Sequence, residues 1–456
     1  MLFSDPICAL ATPPGIAGLA IVRLSGNGAL EIAERCFRGK TPLSEAKSHT
    51  IHFGTFVQGA MPIDEVTAML YKAPHSYTGE DVIEFGCHGG MIVYQEIIDA
   101  LIAVGARPAA PGEFTKRAFL NQKIDLTQAE AVGDLIHALS QQGSHAAARQ
   151  LMGGFTRRLA ELREKLLELC GLLELELDFS QEDIELIDKK VLATRIEETR
   201  GFCVELANSF KSAEIVRSGY SVGIVGYPNA GKSSLLNALL DKKRAIVSAV
   251  PGTTRDYIEE VLHLGGVAIR LVDTAGFRES DDKIEVEGIE LAVELLKQCH
   301  LILVLNDCSE GEAHSNPLIV SLQAKFSDSD IVLVQTKTDL LPNDRIIPLE
   351  TSMQAMLWLS VQDGKGIAEL KEFLTKKAKS ASAAMHDTLI NARQAALLTQ
   401  ASDSLTKARE AALKGESNEF TAIDLRSALK NIGEITGEVW NDDILNAVFA
   451  KFCIGK

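Results

Sequence analysis

The residues best suited to chemistry lie in the stretch Gly226-Tyr-Pro-Asn-Ala-Gly-Lys-Ser-Ser234, which fits the phosphate-binding pattern G-x-x-x-x-G-K-[ST]. In this pattern the glycines let backbone N–H groups curl around a phosphate at a helix N-terminus, where the helix dipole favours anions. The apolar run from Tyr220 to Val225 predicts a buried strand before the loop, and residues 234–240 have the spacing of a helix after it. Lys232 is expected to reach the terminal phosphates, and the Ser233 hydroxyl is expected to ligate Mg²⁺. The stretch therefore predicts a nucleotide-binding loop.

Three further motifs follow the loop. Asp273-Thr-Ala-Gly276 ends a predicted strand; its aspartate would hold Mg²⁺ through water, and the Gly276 amide would sense a γ-phosphate. Gly252-Thr-Thr-Arg-Asp256 contains two candidates for the switch threonine that closes over the metal ion, Thr253 and Thr254, and we favour Thr254. Thr336-Lys-Thr-Asp339 ends a later strand, and the Asp339 carboxylate can accept both N1–H and N2–H of guanine, a donor pair that adenine lacks. These motifs favour a GTPase over a general ATPase.

Two positions depart from the usual GTPase pattern. Thr336 stands where GTPases usually have asparagine, so the base is offered only a hydroxyl and guanine affinity is expected to be weaker. Phe277 stands where Ras-type GTPases place the glutamine that orients the attacking water, which phenylalanine cannot do. Glu285, in the acidic stretch that follows, is the candidate for that role. The predicted GTP site comprises Asn229, Ala230, Gly231, Lys232, Ser233, Ser234, Ser248, Thr253, Thr254, Asp273, Thr274, Ala275, Gly276, Thr336, Lys337, Asp339 and Ser360.

The elements that position these motifs form an α/β domain. Strand-like runs over Val267–Asp273, Leu301–Leu305, Ile331–Gln335 and Met356–Ser360 alternate with helical segments, which predicts a mostly parallel sheet with helices on both faces. The small, polar stretch from Lys376 to Ala384 is expected to be a linker that leaves this domain.

The rest of the chain supplies two other kinds of structure. Residues 1–120 mix glycine turns with strand-like runs, such as Leu19–Leu24 and Val66–Tyr71, and predict an α+β domain. Helical patterns before and after the α/β domain predict one helical domain in two segments. Leu159, Leu162, Leu166, Leu169 and Leu173 form a heptad stripe, interpreted as a bundle core in preference to a coiled-coil dimer. The predicted boundaries are 1–120, 121–218, 219–379 and 380–456.

Composition narrows the possible functions. The 456 residues carry a net charge of −16, which opposes broad binding to nucleic acid and requires a local basic patch or a partner for any RNA contact. No apolar run approaches the ~20 residues of a membrane span, and no signal peptide is visible.

The eight cysteines include no C-x-x-C pair, which favours reduced thiols in the cytoplasm. Cys87 and His88 are adjacent, but a packed or hydrogen-bonded histidine is favoured over a metal pair.

Taken together, these residues closely resemble the MnmE (TrmE) family of tRNA-modification GTPases along essentially the whole chain. The resemblance includes Ala11-Thr-Pro-Pro-Gly15, Tyr77-Thr-Gly-Glu-Asp81, Pro111-Gly-Glu-Phe-Thr115 and the terminal Cys453-Ile-Gly-Lys456, besides the GTPase motifs. It implies action with the flavoprotein MnmG to install a carboxymethylaminomethyl-type group on C5 of the wobble uridine of certain tRNAs. A tetrahydrofolate derivative would supply the one-carbon unit from a pocket in the N-terminal domain. It also implies a homodimer through that domain, and a heterotetramer with the flavoprotein.

The resemblance also carries family roles onto individual residues. Arg23, Glu80, Lys123 and Lys456 match folate contacts. Ser233 and Thr254 match the Mg²⁺ ligands, and Glu285 matches the glutamate that orients water when two G domains meet. The K⁺ ligands would be Asn229, Thr253 and backbone groups of Ser248 and Val250. Cys453 is interpreted as a catalytic or site-lining thiol rather than a prenylation site, because the lysine at the last position fits that signal poorly.

One question about the C-terminus and one alternative function stay open. The segment after Asn441 predicts a capped helix with an apolar face of Ile444, Leu445, Val448 and Phe452, docked in the helical domain with its tail pointing outward. Because one chain's tail may not reach its own N-terminal domain, a dimer could supply the tail in trans. The alternative function is a regulatory GTPase switch that acts on the ribosome or RNA without modification chemistry. The residues before the loop discriminate between the two, since such a switch normally carries an RNA-binding module there.

Overall fold

The computed structural model describes residues 5–178, 188–240, 259–273, 295–310, 316–326, 329–341, 356–383, 388–414 and 417–456. The chain forms two compact units. The first contains Met1–Gly133, Gln150–Cys203 and Leu397–Lys456, and the second contains Asp134–Arg149 and Val204–Ala396. The second unit thus includes residues 134–149 and 204–218 as well as the nucleotide motifs, so its limits differ from the predicted boundaries of the α/β domain.

The elements are as follows. The strands are β1 Ile7–Leu10, β2 Ala17–Ser25, β3 Phe37–Gly39, β4 Thr50–Gln58, β5 Met61–Tyr71, β6 Val82–Gly89, β7 Arg107–Pro108, β8 Tyr220–Gly226, β9 Glu259–Leu264, β10 Val267–Asp273, β11 Leu301–Asp307, β12 Asp330–Thr336 and β13 Met356–Trp358. The α-helices are α1 Ala29–Cys36, α2 Met91–Ala103, α3 Glu113–Leu120, α4 Leu126–Ile136, α5 Gln141–Leu151, α6 Gly154–Asp178, α7 Lys189–Asn208, α8 Phe210–Ser218, α9 Lys232–Leu240, α10 Asn316–Lys325, α11 Ile367–Ser382, α12 Ala392–Lys414, α13 Asn418–Thr436 and α14 Asp442–Phe449.

The first unit is built on a seven-stranded sheet with the order β3-β4-β5-β6-β2-β1-β7. All neighbours are antiparallel except β1 and β7. Side chains alternate between the two faces of a strand. In β2, Val22 and Leu24 therefore face a core that includes Ile97 and Leu101 of α2, whereas Arg23 faces the other way. The predicted strands of residues 19–24 and 66–71 are confirmed within β2 and β5.

The face that carries Arg23 is partly open. Arg23, Glu84, Met69 and Ile51 lie side by side across β2, β6, β5 and β4. The β4 end of this row is uncovered: Ile51 is 68% exposed, and Phe53, two residues further along the same face, is 66% exposed. Antiparallel sheets often leave one face to solvent, but that face is then usually polar.

The leucine stripe of α6 is buried inside the first unit. Leu159, Leu162, Leu166, Leu169 and Leu173 are all at most 3% exposed. Helix α6 packs along α13, and Arg426 of α13 pairs with Glu174 of α6 at 2.6 Å. The interpretation of the stripe as a bundle core is therefore confirmed, because its leucines are already covered by the same chain.

The second unit contains a six-stranded sheet with the order β13-β12-β11-β8-β10-β9. All pairs are parallel except β9 with β10. One face packs on α8, α9 and α11, and the other face packs on α10, so each face has its own apolar cluster. The predicted mostly parallel sheet with helices on both faces is confirmed; the antiparallel edge strand β9 was not predicted.

Two smaller predictions also have outcomes. The linker predicted from Lys376 to Ala384 is wrong, because α11 continues through Ser382; its lysines and alanines are strong helix formers. His88 is hydrogen-bonded as expected, since its Nδ1 lies 2.7 Å from Asp64 Oδ1. Among the described residues, no helix is long and apolar enough to cross a membrane.

Candidate functional sites

The phosphate loop lies between β8 and α9, as the sequence predicts. Gly231 has φ 92° and Asn229 has φ 64°, so the loop turns through left-handed backbone just before the helix begins at Lys232. The loop is packed tightly on β11, because a Cβ on Gly226 would lie 2.6 Å from the carbonyl oxygen of Leu305. Only glycine fits such an approach. The sequence thus fixes both the shape of the loop and its distance from the sheet.

Lys232 folds back over the loop that precedes it. Its Nζ donates to the carbonyl oxygens of Gly226 at 2.8 Å and Tyr227 at 3.0 Å. The ammonium is therefore held beside the N-terminus of α9, where a phosphate would bind. Ser233 and Ser234, the next two residues, are exposed at the start of the helix, whereas Ala230 is buried beneath the loop. The arrangement gathers a cation, the N-terminus of a helix and two hydroxyls at one point.

Asp339 is fixed in position by a neighbouring loop. It lies in a 3₁₀ turn, Thr338–Leu340, directly after β12. The hydroxyl of Ser360, which is fully buried, donates to Asp339 Oδ1 at 2.6 Å, and Ser360 in turn accepts from the Asp363 N–H at 3.1 Å. The carboxylate is therefore oriented before any ligand arrives, which lowers the ordering cost of binding.

Thr336 connects this motif to the phosphate loop. Its hydroxyl, on a side chain that is 2% exposed, lies 2.8 Å from the carbonyl oxygen of Ala230 and 3.1 Å from that of Asn306. The sequence suggested a residue that offers its hydroxyl to the base, but the structure uses the hydroxyl inside the protein. The loop and the Asp339 motif are therefore linked directly.

Lys337 is held by residues that sequence reasoning missed. Its Nζ lies 2.6 Å from Asp307 Oδ2 at the end of β11, and its carbonyl oxygen is 3.1 Å from the Cys308 Sγ. Although burial raises the pKa of Asp307, hydrogen bonds from Lys337 and Ser309 lower it below its usual value. The sequence did contain a signal for this pair. Asp307 ends β11, the strand next to β12, and the carboxyl ends of parallel strands lie at one edge of a sheet.

Part of the predicted GTP site is not described. Asp273 ends β10, which places its backbone beside β8. The other predicted residues of the switch segments lie outside the described residues: Ser248, Val250, Thr253, Thr254, Thr274, Ala275, Gly276 and Glu285.

A second candidate site surrounds Arg23 in the first unit. The Arg23 Nε lies 2.7 Å from Glu84 Oε1, and its guanidinium lies 5.2 Å from the ring centre of Tyr77 and 5.4 Å from that of Phe114. The side chain is only 14% exposed. An arginine held between two aromatic rings keeps its planar face fixed and favours planar or anionic ligands.

Glu80 belongs to an ionic cluster behind Arg23. It accepts hydrogen bonds from Ser25 Oγ at 3.1 Å and from Arg117 Nη1 at 3.2 Å. Arg117 is 1% exposed and also pairs with Glu113 at 2.9 Å, which is bound in turn by Arg107. Burial alone would raise the pKa of Glu113, but hydrogen bonds from Arg107, the Ala110 N–H and Arg117 lower it to about 2. Glu80 therefore has a structural partner as well as its predicted role.

The loop between β5 and β6 joins Glu80 to Lys123. Tyr77 Oη lies 2.8 Å from Thr115 Oγ1 on α3, and Asn121 Nδ2 donates to the Thr78 carbonyl at 2.8 Å. Lys123 Nζ donates to the Pro74 carbonyl at 2.9 Å, at the start of the same loop. The loop thus runs along α3 and connects the surroundings of Arg23, Glu80 and Lys123.

The C-terminal tail lies on the first unit of its own chain. Asn441 caps α14 by accepting the Ile444 N–H at 2.9 Å, and the predicted apolar face packs on α3 and α4. The five residues after the helix bring Gly455 (φ 98°) against Leu10 of β1, where an added Cβ would lie 2.1 Å from the Leu10 carbonyl oxygen. Arg23 Nη1 lies 3.4 Å from the Gly455 carbonyl oxygen. The expectation of an outward tail is therefore wrong, because α14 docks beside the N-terminal sheet, and this contact does not need the supply in trans that the sequence left open.

Around this contact, the two predicted tail residues differ in exposure. Cys453 is exposed, and its carbonyl oxygen lies 3.4 Å from the Gly112 N–H; Lys456 is half-buried. The structure thus brings the last residues of the chain to Arg23, while the thiol faces outward.

Comparison with known proteins gives consistent results along the chain. The family model for the N-terminus of the GTP-binding protein TrmE matches residues 6–123, and the model for the MnmE helical domain matches residues 126–453. The "tRNA modification GTPase MnmE" of Chlorobium chlorochromatii is 41% identical over 99% of this chain and 98% of its own. The protein of the same name from Chlorobium luteolum is 43% identical over 99% of this chain and 98% of its own. Among solved structures, Aquifex aeolicus Era bound to GDP·AlF₄⁻ is 29% identical over 34% of this chain and 56% of its own, with a TM-score of 0.28.

Proposed function

The chain belongs to the MnmE family of tRNA modification GTPases, a GTP-hydrolysing enzyme family that acts in tRNA modification, and from this membership we propose the reaction that it serves. With a flavoprotein partner of the MnmG type, in a heterotetramer, it adds a carboxymethylaminomethyl-type group to C5 of the wobble uridine of certain tRNAs. The one-carbon unit comes from a tetrahydrofolate derivative. The observation that carries the proposal is the contact of the terminal Gly455 with Arg23, which joins the family's C-terminal signature to the predicted folate residues.

For the GTP site, we propose roles that the geometry of the described residues supports. Lys232 leaves its two carbonyl partners to bind the terminal phosphates, and Ser233 ligates Mg²⁺. Asp339, already oriented by Ser360, accepts the two guanine donors. Thr254 as second Mg²⁺ ligand and Glu285 as the group that orients water rest on the family resemblance.

We also propose K⁺ as the positive charge between the phosphates that an arginine supplies in other GTPases. Asn229 is the member of the proposed ligand set that the structure describes, and it is exposed in the phosphate loop with φ 64°. Thr253 and backbone groups of Ser248 and Val250 complete the set by resemblance. A cation between the phosphates would stabilise charge that develops in the transition state.

The surroundings of Arg23 fit a folate. Tyr77 offers aromatic surface, the buried Phe114 supports the Arg23 guanidinium, and Arg23 and Lys123 offer cations to carboxylates of the glutamate end. Glu80 and the half-buried Lys456 complete the proposed set. When bound, the folate supplies the one-carbon unit. The chain's own residues hold it and exclude water on the side covered by the tail, while Cys453 stays accessible beside it as a proposed catalytic thiol.

We also propose a homodimer through the N-terminal domain, in the cytoplasm. The uncovered sheet face supports it, because Ile51 and Phe53 are 68% and 66% exposed there. Large apolar side chains grouped on one face mark interaction sites more often than bare surface. The alternative regulatory switch is less well supported, because the match of the TrmE model covers the N-terminal residues where such a switch carries its RNA module.

The test is single-turnover GTP hydrolysis in K⁺ and in Na⁺ at several protein concentrations, with modified tRNA measured in parallel. We expect faster hydrolysis in K⁺, increasing with protein concentration as G domains meet. Modified uridine should form only with the flavoprotein, tRNA and folate present. Equal rates in both salts at every concentration would refute the potassium role, and modification without folate would refute the folate role.

A further inference from the structure

A cavity of about 630 Å³ opens in the first unit, away from the tail contact. Its walls are the α3–α4 connection, α6, and the C-terminal end of α13 with the residues that follow. The tail and α14 meet the start of α3 at Gly112, whereas Phe119 and Leu120 at the other end of α3 line the cavity. Its volume falls in the range of about 300–1,000 Å³ that is usual for small-molecule sites.

One wall of the cavity is aromatic. Trp440 is 37% exposed and makes an edge-on contact with Phe119, with ring centres 6.3 Å apart and planes at 74°. This contact holds the indole in place while part of its surface faces the cavity. The buried Leu159 and Ile432 form the apolar floor behind this wall. A flat ring could stack on the indole.

The rim offers an amide group. Gln122, whose φ is 58°, is exposed at the mouth. Non-glycine residues held at positive φ cost free energy and occur preferentially at ligand sites. Nearby Asp125 and Gln128 have structural tasks instead: Asp125 accepts the Gln128 N–H at 2.8 Å to cap α4, and Gln128 Nε2 donates to the Leu151 carbonyl at 2.8 Å. Gln122 is thus the amide placed to read a ligand, with one donor group and one acceptor.

Two cations complete the rim. Lys123 is exposed, and Arg163 Nε lies 2.7 Å from Glu438 Oε2 in a pair whose side chains are 37% and 47% exposed. Exposed ion pairs contribute little to stability, so Arg163 can turn toward an anion at small cost. Because the chain has a net charge of −16, an RNA must find its cations at local positions such as this one.

We propose that this cavity binds one unpaired nucleotide of the RNA that the enzyme modifies. The base stacks on Trp440, its edge meets Gln122, and its phosphate meets Arg163. Unpaired nucleotides expose the ring face and the base edge that a duplex hides, which is the chemistry this cavity recognises. The proposal rests on the family's role in tRNA modification and does not depend on the folate proposal.

The chain allows a direct optical test. It contains two tryptophans, so the variant Trp358→Phe leaves Trp440 as the sole tryptophan. An anticodon stem–loop RNA should change its emission saturably, over the same concentrations at which anisotropy shows that a labelled copy of this RNA binds. UMP should give the same change at much higher concentration.

Substitutions then test the individual contacts. Arg163→Gln should weaken RNA binding about tenfold, because a charge-assisted contact is lost. Trp440→Leu should weaken it tenfold or more, and Trp440→Phe less, because an aromatic stacking surface remains. Arg157→Gln is the matched control: it removes the same charge from an exposed position on the same helix, outside the cavity lining, and should have little effect. A urea unfolding transition of the first unit like that of the unsubstituted chain would show that each variant is folded.

Several results would overturn the proposal. They are the absence of RNA binding by the chain, RNA binding without a change in Trp440 emission, and an equal loss of affinity in Arg157→Gln. If 5-formyltetrahydrofolate changes the Trp440 emission and added RNA does not reverse this change, the cavity is a folate site instead. If the proposed function itself is wrong, the hydrolysis and modification assays on the unsubstituted chain show this independently of the Trp440 emission.

Discussion

At the scale of single residues, Asp339 should decide which base is bound. Asp339→Asn replaces a carboxylate that accepts two guanine donors by an amide that accepts only one, which should cost about 2–3 kcal/mol of GTP binding. It should also erode discrimination against xanthosine triphosphate. Ser360→Ala removes the 2.6 Å hydrogen bond that orients Asp339, together with the hydrogen bond from the Asp363 N–H, and should cost about 1 kcal/mol of GTP binding.

Nucleotide dissociation constants measured by titration check both values. Thr336→Asn serves as a comparison, and we expect it to be neutral or to tighten binding. Thr336→Val keeps the shape of the side chain but breaks the link to the Ala230 carbonyl. An Asp339→Asn variant with unchanged GTP affinity would show that this loop does not contact the base.

Glu113 should make the first unit sensitive to acid. Its folded pKa is about 2, below its usual value of 4.5, so its stabilising contribution is complete above pH 4.5 and is lost as the pH falls toward 2. At ~1.4 kcal/mol per pKa unit, the contribution is roughly 3 kcal/mol. Urea unfolding of Glu113→Gln and the unsubstituted chain at several pH values tests this. The difference in unfolding free energy should be largest near pH 7 and shrink below pH 4; a constant difference would contradict it.

At the scale of elements, the tail should separate the two activities. Gly455→Ala places a Cβ where only 2.1 Å is available to the Leu10 carbonyl oxygen, at φ 98°, so the tail must leave the sheet. We expect tRNA modification to be lost and GTP hydrolysis to persist, as for deletion of residues 453–456. Ile454→Ala, at a position that is 61% exposed, is the control and should retain both activities. If Gly455→Ala also loses hydrolysis, the tail supports the whole fold rather than one site.

The elements show where sequence reasoning succeeds. The loop pattern, the heptad stripe and the alternation in β2 and β5 are local and periodic, so they predict structure directly. The position of the tail depends on α14 docking against α3 and α4, far away in the sequence, and no local pattern encodes that contact. The same holds for the site: Lys232 and Asp339 have signatures of their own, whereas the Asp307–Lys337 pair and the Thr336–Ala230 link require knowing that β11 adjoins both β8 and β12.

At the scale of the whole molecule, self-association should depend on the uncovered sheet face. Phe53→Glu places a charge in the middle of this face, where Phe53 is 66% exposed, and should shift the protein toward monomer. Sedimentation velocity over a range of concentrations measures the shift. Met152→Glu is the matched control, since Met152 is 77% exposed elsewhere in the first unit. An unchanged mass for Phe53→Glu at all concentrations would show that the dimer uses another surface.

The contact between Gly455 and β1 joins the last residues of the chain to the first strand, and this fixes an order of events during synthesis. The last strand of the sheet of the first unit ends at Pro108, but Gly455 is added only after 347 further residues have been translated. At about 5–20 residues per second, the ribosome takes roughly 17–70 s to supply them. During that interval the nucleotide strands, which end at Trp358, can already assemble. A nascent or prematurely terminated chain would therefore form its nucleotide strands first, and the contact of Gly455 with Arg23 and β1 would arise only after residue 455 has been translated.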